Sequence, residues 1–178
     1  MTLLVIADDD AVRTSVPSEQ VDVVISCGDV LDSTILDVAR RVGCACVLAV
    51  KGNHDSSGDF GPGIVNLHLV KHTVEGLTFG GFQGSWRYKP RGNYLYEQEE
   101  VGQQLGAFPV VDVFIAHNSP RHVHDRDDDV HHGFEAFSTY IKKAHPRMLI
   151  HGHQHTNRET VVDATRVIGV YGWRRLEI

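Results

Sequence analysis

The chain is poor in everything that would staple it covalently or carry it into a membrane. Its three cysteines, Cys27, Cys44 and Cys46, form no C-x-x-C pair, and each lies in or beside an apolar run. They read as small buried side chains, and the expected compartment is the reducing cytoplasm. No stretch approaches the ~20 apolar residues of a membrane span. The short apolar run at 3–7 has no basic residue before it and ends in three aspartates. It therefore reads as a first strand and not as a signal peptide. Cations are also short, with 17 Lys+Arg against 23 Asp+Glu and a formal net charge of -6. That balance argues against a strong generic grip on DNA or RNA, although it leaves room for a local basic loop. Internal repeats, low-complexity tracts and linkers are absent as well. At 178 residues with 42% hydrophobic content, a single domain with a sizeable core is expected.

What is present is a set of short β-branched runs at 3–7, 21–26, 45–50, 110–116 and 148–150. Between the second and third, residues 33–42 repeat Ile35, Leu36, Ala39 and Val42 at helical spacing. Strand, helix, strand over about thirty residues is a βαβ unit with parallel strands. A second helix is expected at 134–144, stopping before Pro146. Two antiparallel hairpins are expected, 67–74 with 77–82 and 159–162 with 166–170. Residues 84–93 and 122–132 are the least regular and read as loops. The fold class is α/β with mixed sheets.

Metal-binding residue types fall just beyond the ends of these strands. Asp8 follows the first, Asp29 the second, Asn53 and His54 the third, His117 the run at 110–116, and His153 and His155 the run at 148–150. In open α/β sheets, ligands bind beyond the carboxyl ends of the strands. Asp8 and Asp10, two apart, would point the same way on an extended backbone, as would His153 and His155. Gly28, Gly52 and Gly152 precede Asp29, Asn53 and His153, where backbone must turn sharply or approach an ion closely. Asp32, at the start of the first helix, is open to a helix-capping role.

The order Asp8-x-Asp10, Gly28-Asp29-Val30-Leu31-Asp32, Gly52-Asn53-His54-Asp55, His117 and Gly152-His153-Gln154-His155 resembles the calcineurin-like metallophosphoesterase superfamily. The resemblance implies a four-layer α-β-β-α sandwich with two mixed sheets and two divalent metal ions at the sheet rim. It implies that Asp8 and His155 hold the first ion, that Asn53, His117 and His153 hold the second, and that Asp29 bridges both. A metal-bridging hydroxide would attack phosphorus, with His54 beside the leaving group and oriented by Asp32. The superfamily usually has histidine where this chain has Asp10. If Asp10 ligates, the first site is harder and should favour Mn²⁺, Fe²⁺ or Mg²⁺ over Zn²⁺. Ser33-Thr34 stands where the phosphoprotein phosphatase branch has Arg-Gly, which disfavours protein dephosphorylation.

For substrate, residues 84–94 interleave Trp86, Tyr88 and Tyr94 with Arg87, Lys89 and Arg91. Such a loop can stack a base and neutralise a phosphate, or be an ordinary exposed hairpin loop with its aromatics on the sheet. Arg121 is a candidate phosphate contact, and His131 or His132 could close the site. The expected activity is hydrolysis of a small phosphoester, a nucleotide-type phosphodiester ahead of a monoester. The rival reading is a catalytically retired scaffold for protein partners. No membrane partner is expected, and a homo-oligomer is left open.

Overall fold

A computed structural model describes residues 1–178. In chain order the elements are β1 (Thr2–Ala7), α1 (Val12–Ser15), β2 (Val23–Ser26), α2 (Asp32–Arg41), β3 (Val47–Ala49), β4 (Val65–Asn66), β5 (His72–Val74), β6 (Leu77–Phe82), β7 (Ser85–Trp86) and β8 (Leu95–Tyr96). They continue with α3 (Gln98–Gly106), β9 (Val113–Ala116), α4 (Glu135–Ala144), β10 (Met148–His151), β11 (Arg158–Val162), β12 (Thr165–Gly169) and β13 (Gly172–Glu177). One sheet runs β13-β1-β2-β3-β4 and a second runs β11-β12-β10-β9-β6-β5, with a small β7-β8 pair beside them.

Period-2 alternation explains the layering. On β1, Leu3 and Val5 face the second sheet and pack with Val113, Ile115 and Ile150. Leu4 and Ile6 face the other way, onto Val12 of α1 and Ile35 and Val38 of α2. The far face of the second sheet, with Phe114 and Leu149, packs on Val101 and Leu105 of α3 and Phe137 and Ile141 of α4. Both sheets are thus covered on both faces, which is why their parallel strands read as continuous apolar runs. The result is a four-layer α-β-β-α sandwich.

β1, β2, β3 and β4 are mutually parallel, and so are β6, β9, β10 and β12. Their carboxyl ends form a common rim. A main-chain bond from Gly84 N–H to the Lys51 carbonyl, 2.7 Å, links the sheets there.

Several elements differ from expectation. The first expected hairpin is shorter on one side, since only His72–Val74 pairs with Leu77–Phe79. Leu69 adopts φ +56°, which breaks an extended run from residue 67, and His68 bridges instead to Gly81. The expected loop at 84–93 contains β7, which pairs with β8. Helices α2 and α4 begin at Asp32 and Glu135, one residue from the expected starts. Helix α3 and strand β13 were not expected at all.

Candidate metal centre

The rim loops are bent hard where they leave the sheets. Asp8 (φ +58°), Asp29 (φ +55°), His153 (φ +62°) and His155 (φ +47°) all adopt the left-handed region. Each such non-glycine residue costs of order 1–3 kcal/mol, so surrounding contacts must hold it. Asp55 supplies one, because its Oδ2 accepts from Asp29 N–H at 3.0 Å and Gly52 N–H at 2.7 Å. This buried carboxylate ties the β2 loop to the β3 loop, a role its place in Gly52-Asn53-His54-Asp55 could have suggested. Gly52 and Gly152 let backbone reach the carboxylates. A Cβ on Gly52 would lie 2.1 Å from Asp29 Oδ1, and one on Gly152 would lie 2.6 Å from Asp8 Oδ2.

Asp8, Asp29 and His117 each offer a ligand atom within 4.8 Å of the others. His117 is fully buried, with Nδ1 2.8 Å from the Cys27 carbonyl, so Nδ1–H donates there. Its Nε2 lies 3.0 Å from Asn53 Oδ1 and 3.4 Å from Asp29 Oδ2. Asn53 is oriented by its own amide, whose Nδ2 donates to the Tyr88 hydroxyl at 3.3 Å, turning Oδ1 towards His117. The His153 ring lies 5.0 Å from the His117 ring, and His153 Nε2–H donates to the Val130 carbonyl at 3.2 Å. Its Nδ1 thereby keeps its lone pair, the kind of tautomer control that ligand histidines need. His155 Nε2 is 3.9 Å from Asp8 Oδ1, and its ring stacks on Tyr171.

Burial and mutual interaction shift the protonation of the three central groups. Burial, with the repulsion of Asp29 added, pushes the Asp8 carboxyl up to about 7. Burial also works to raise Asp29 and to lower His117, but their mutual attraction prevails. Asp29 is held below the usual carboxylate range and the His117 imidazole is raised to about 9. Asp8 Oδ1 is buried and has no hydrogen-bond partner. Such an oxygen is expensive to leave unpaired, and beside a second carboxylate, an imidazole and an amide oxygen it suits a hard or borderline divalent ion. The residues fit the metal.

Asp10 sits differently from its neighbour. The left-handed turn at Asp8 ends the extended backbone, so Asp10 does not share Asp8's direction. It is exposed, and its Oδ1 accepts from Leu31 N–H at 3.1 Å. Asp32 makes no hydrogen bond to His54. Its carboxylate instead receives Lys51 Nζ at 3.0 Å and Gly61 N–H at 2.8 Å, and no side chain caps α2. His54 is exposed, fixed through its backbone N–H to Asp29 Oδ1 at 2.8 Å.

The expected substrate contacts divide. Tyr88 reaches Asn53, and Trp86 packs on His132 with ring centres 5.7 Å apart. Arg87 is paired with Glu97 at 3.0 Å, and Arg121 is paired with Asp125. Both arginines are therefore engaged by carboxylates and are not free phosphate anchors.

Comparison with known proteins bears on the fold and the family. The Thermus thermophilus protein called TT1561 superimposes with a TM-score of 0.67 at 13% identity, over 96% of this chain and 89% of that one. The phosphopantetheinyl hydrolase of Mycobacterium tuberculosis does so with a TM-score of 0.62 at 16% identity, over 96% and 89%. A putative 5'-nucleotidase of Staphylococcus aureus has a TM-score of 0.60 at 13% identity, covering 98% of this chain but 50% of its own. At these identities the likeness is one of fold. No curated protein sequence matches the chain. Residues 5–170, which run from β1 past the last rim histidine, match the calcineurin-like phosphoesterase superfamily domain, and the chain belongs to that superfamily.

Proposed function

We propose that the chain is a phosphoesterase working with two divalent ions, and that it cleaves small phosphodiesters of the nucleotide type in preference to monoesters. The observation that carries this reading is the buried, unpartnered Asp8 Oδ1 within a group of Asp8, Asp29 and His117 at a shared sheet rim. In the arrangement we infer, Asp8 and His155 would hold one ion, Asn53, His117 and His153 would hold the other, and Asp29 would serve both. Bound there, the ions would activate water and draw charge from the phosphoryl oxygens.

The chain's own groups do the rest. The Cys27 and Val130 carbonyls keep His117 and His153 in the ligating tautomers. Asn53, held by Tyr88, presents a neutral oxygen, which leaves its ion more electrophilic. His54 lines a polar cavity of about 560 Å³ together with Asp32, Lys51, Asp55, Ser56 and Asn93. The leaving group would occupy this side, and His54 would donate a proton to the departing oxygen. Asp10 joins the first ion only if its carboxylate leaves Leu31 N–H. In that case the oxygen-rich set favours Mn²⁺, while Fe²⁺, Mg²⁺ and Zn²⁺ are chemically suited to the other positions. Trp86, Tyr88 and His132 form the aromatic side of the entrance and are the substrate contacts we propose.

The test is hydrolysis of bis(p-nitrophenyl) phosphate and p-nitrophenyl phosphate by protein stripped with chelator and resupplied with Mn²⁺. Turnover of the diester, lost with chelator and restored by Mn²⁺, is expected. Preference for the monoester would overturn the substrate class. Absence of turnover of either with any of the four ions would favour the scaffold reading.

A further inference from the structure

The segment at 125–133 runs as a strap beside His153 and Gln154, and much of its attachment is made by main chain. Three successive carbonyls accept from three side chains of the rim. Val130 O takes His153 Nε2 at 3.2 Å, His131 O takes Gln154 Nε2 at 2.9 Å, and His132 O takes Asn118 Nδ2 at 2.8 Å. These bonds fix the strap relative to His153 without using the His131 side chain, while Arg126 Nη2 also donates to the Gln154 carbonyl at 3.2 Å and Asp125 pairs with Arg121.

One side chain on it is unusually well organised. Asp128 Oδ1 accepts from the backbone N–H of Val130 at 3.0 Å and of His131 at 2.7 Å. Both Asp128 oxygens lie 2.9 Å from His131 Nδ1. Nδ1–H therefore donates to the carboxylate and Nε2 keeps its lone pair. The imidazole stands 5.3 Å, centre to centre, from the ring of His153, and its side chain is only 21% exposed. The neighbouring Val130 carbonyl, which takes His153 Nε2, holds it on the His153 side of the centre. A histidine whose second nitrogen is fixed by a carboxylate is the common arrangement of a metal ligand. Meanwhile the Asp10 carboxylate on the β1 loop is turned to Leu31 N–H.

We propose that His131 is a further ligand of the metal centre, binding an ion through Nε2 on the His153 side, with Asp128 as its orienting carboxylate. The inference rests on the reading of the centre as a metal site. It adds an imidazole to the centre beside His153, delivered from the strap and not from the β1 loop. The exposed Asp127 and Asp129 flank it with negative charge that attracts cations.

The experiment titrates chelator-stripped full-length protein with Co²⁺ by calorimetry, comparing wild type with His131→Gln and Asp128→Asn. His131→Gln should weaken one ion by at least ~10–100-fold and leave the other unchanged, with Asp128→Asn weakening the same ion less. Because backbone carbonyls hold the strap, metal-free His131→Gln should unfold in urea with the wild-type midpoint. Long-range ¹H–¹⁵N spectra give a direct readout. The Nε2 resonance of His131, identified by its loss in the variant, should move on addition of Zn²⁺ while Nδ1 stays protonated. A wild type that binds no divalent ion overturns the metal reading and this inference together. A wild type that binds ions that His131→Gln binds as tightly, with a stationary Nε2 resonance, overturns this inference alone.

Discussion

Single residues decide how closely the rim loops can crowd the centre. At Gly52 a methyl group would fall 2.1 Å from Asp29 Oδ1, inside any permitted contact. Gly52→Ala should force the Asp29 carboxylate aside, destabilising the metal-free protein by ~1–3 kcal/mol, the usual scale of overpacking, and weakening metal binding more than proportionately. Urea unfolding with a parallel Mn²⁺ titration measures both, and wild-type affinity in the variant would show that Asp29 is not a ligand. His54 makes a separable contribution, because only its backbone touches Asp29. His54→Ala should retain the metals and slow hydrolysis by ~10²–10⁴, less for a nitrophenolate leaving group that needs little protonation. Equal losses for good and poor leaving groups would remove it from the proton-donating role. At this scale the meeting of Asp8, Asp29 and His117 was legible because each lies within three residues of a strand end. The direction of Asp10 was not legible because alternation of side chains holds only on extended backbone, and Asp8 at φ +58° is not extended. Asp55 was marked only by its place beside Asn53 and His54, since its bond to Asp29 depends on two loops meeting, and the Asp128–His131 pair, three residues apart, was hidden in a run of acidic residues.

Elements supply the next level of control. The Lys51 side chain is 3% exposed, paired with Asp32 at the first turn of α2 and lying 3.9 Å over the Phe60 ring. Removing one partner of a buried pair leaves the other uncompensated. Asp32→Asn should therefore destabilise by ~1–3 kcal/mol, discounted because the aspartate is one-third exposed. Lys51→Met with Asp32→Asn should recover part of that loss. If Asp32 instead orients His54, Asp32→Asn would reproduce the leaving-group dependence of His54→Ala while leaving stability nearly unchanged. Between β4 and β5, His68 packs edge-on against Phe82, and burial lowers its pKa to about 4. The unfolded chain then takes up this proton first, so stability is full above about 6.5 and declines as pH falls towards 4. His68→Gln should flatten that part of the urea midpoint–pH curve, and an unchanged slope would refute a neutral buried His68. The long-run strands and the helices α2 and α4 were legible from their apolar spacing. Helix α3 was not, because it offers only Val101 and Leu105 to the core, although its capping box of Glu97 and Glu100 was a readable signal. Strand β13 alternates too many charges to announce itself, and it forms by pairing with β1 at the sheet edge.

Across the whole molecule, the centre draws on both sheets. Asp8, Asp29 and Asn53 leave β1, β2 and β3 of one sheet, while His117, His153 and His155 leave β9 and β10 of the other. The interior between them is an apolar cluster of 17 buried residues, so the rim is where polar groups from the two layers meet. Without a cation, Asp8 and Asp29 repel one another, and His117 is the one buried group of the trio that offsets them. A divalent ion bound by donors from both layers would replace repulsion with attraction and join the sheets at their open edge. Because the unfolded chain cannot assemble these donors, binding free energy becomes stability, by about 2.7 kcal/mol when free metal is 100 times its Kd. For a protein of this size that corresponds to roughly 5–10 °C in Tm. Thermal unfolding of chelator-stripped protein should therefore move upward with added Mn²⁺ and keep rising logarithmically past saturation. Asp29→Asn should lose most of the shift, and Ca²⁺, which prefers six to eight oxygens, should give little. A Tm indifferent to Mn²⁺ up to millimolar concentrations would mean that the rim holds no ion, and that the orphaned oxygen of Asp8 answers some other need.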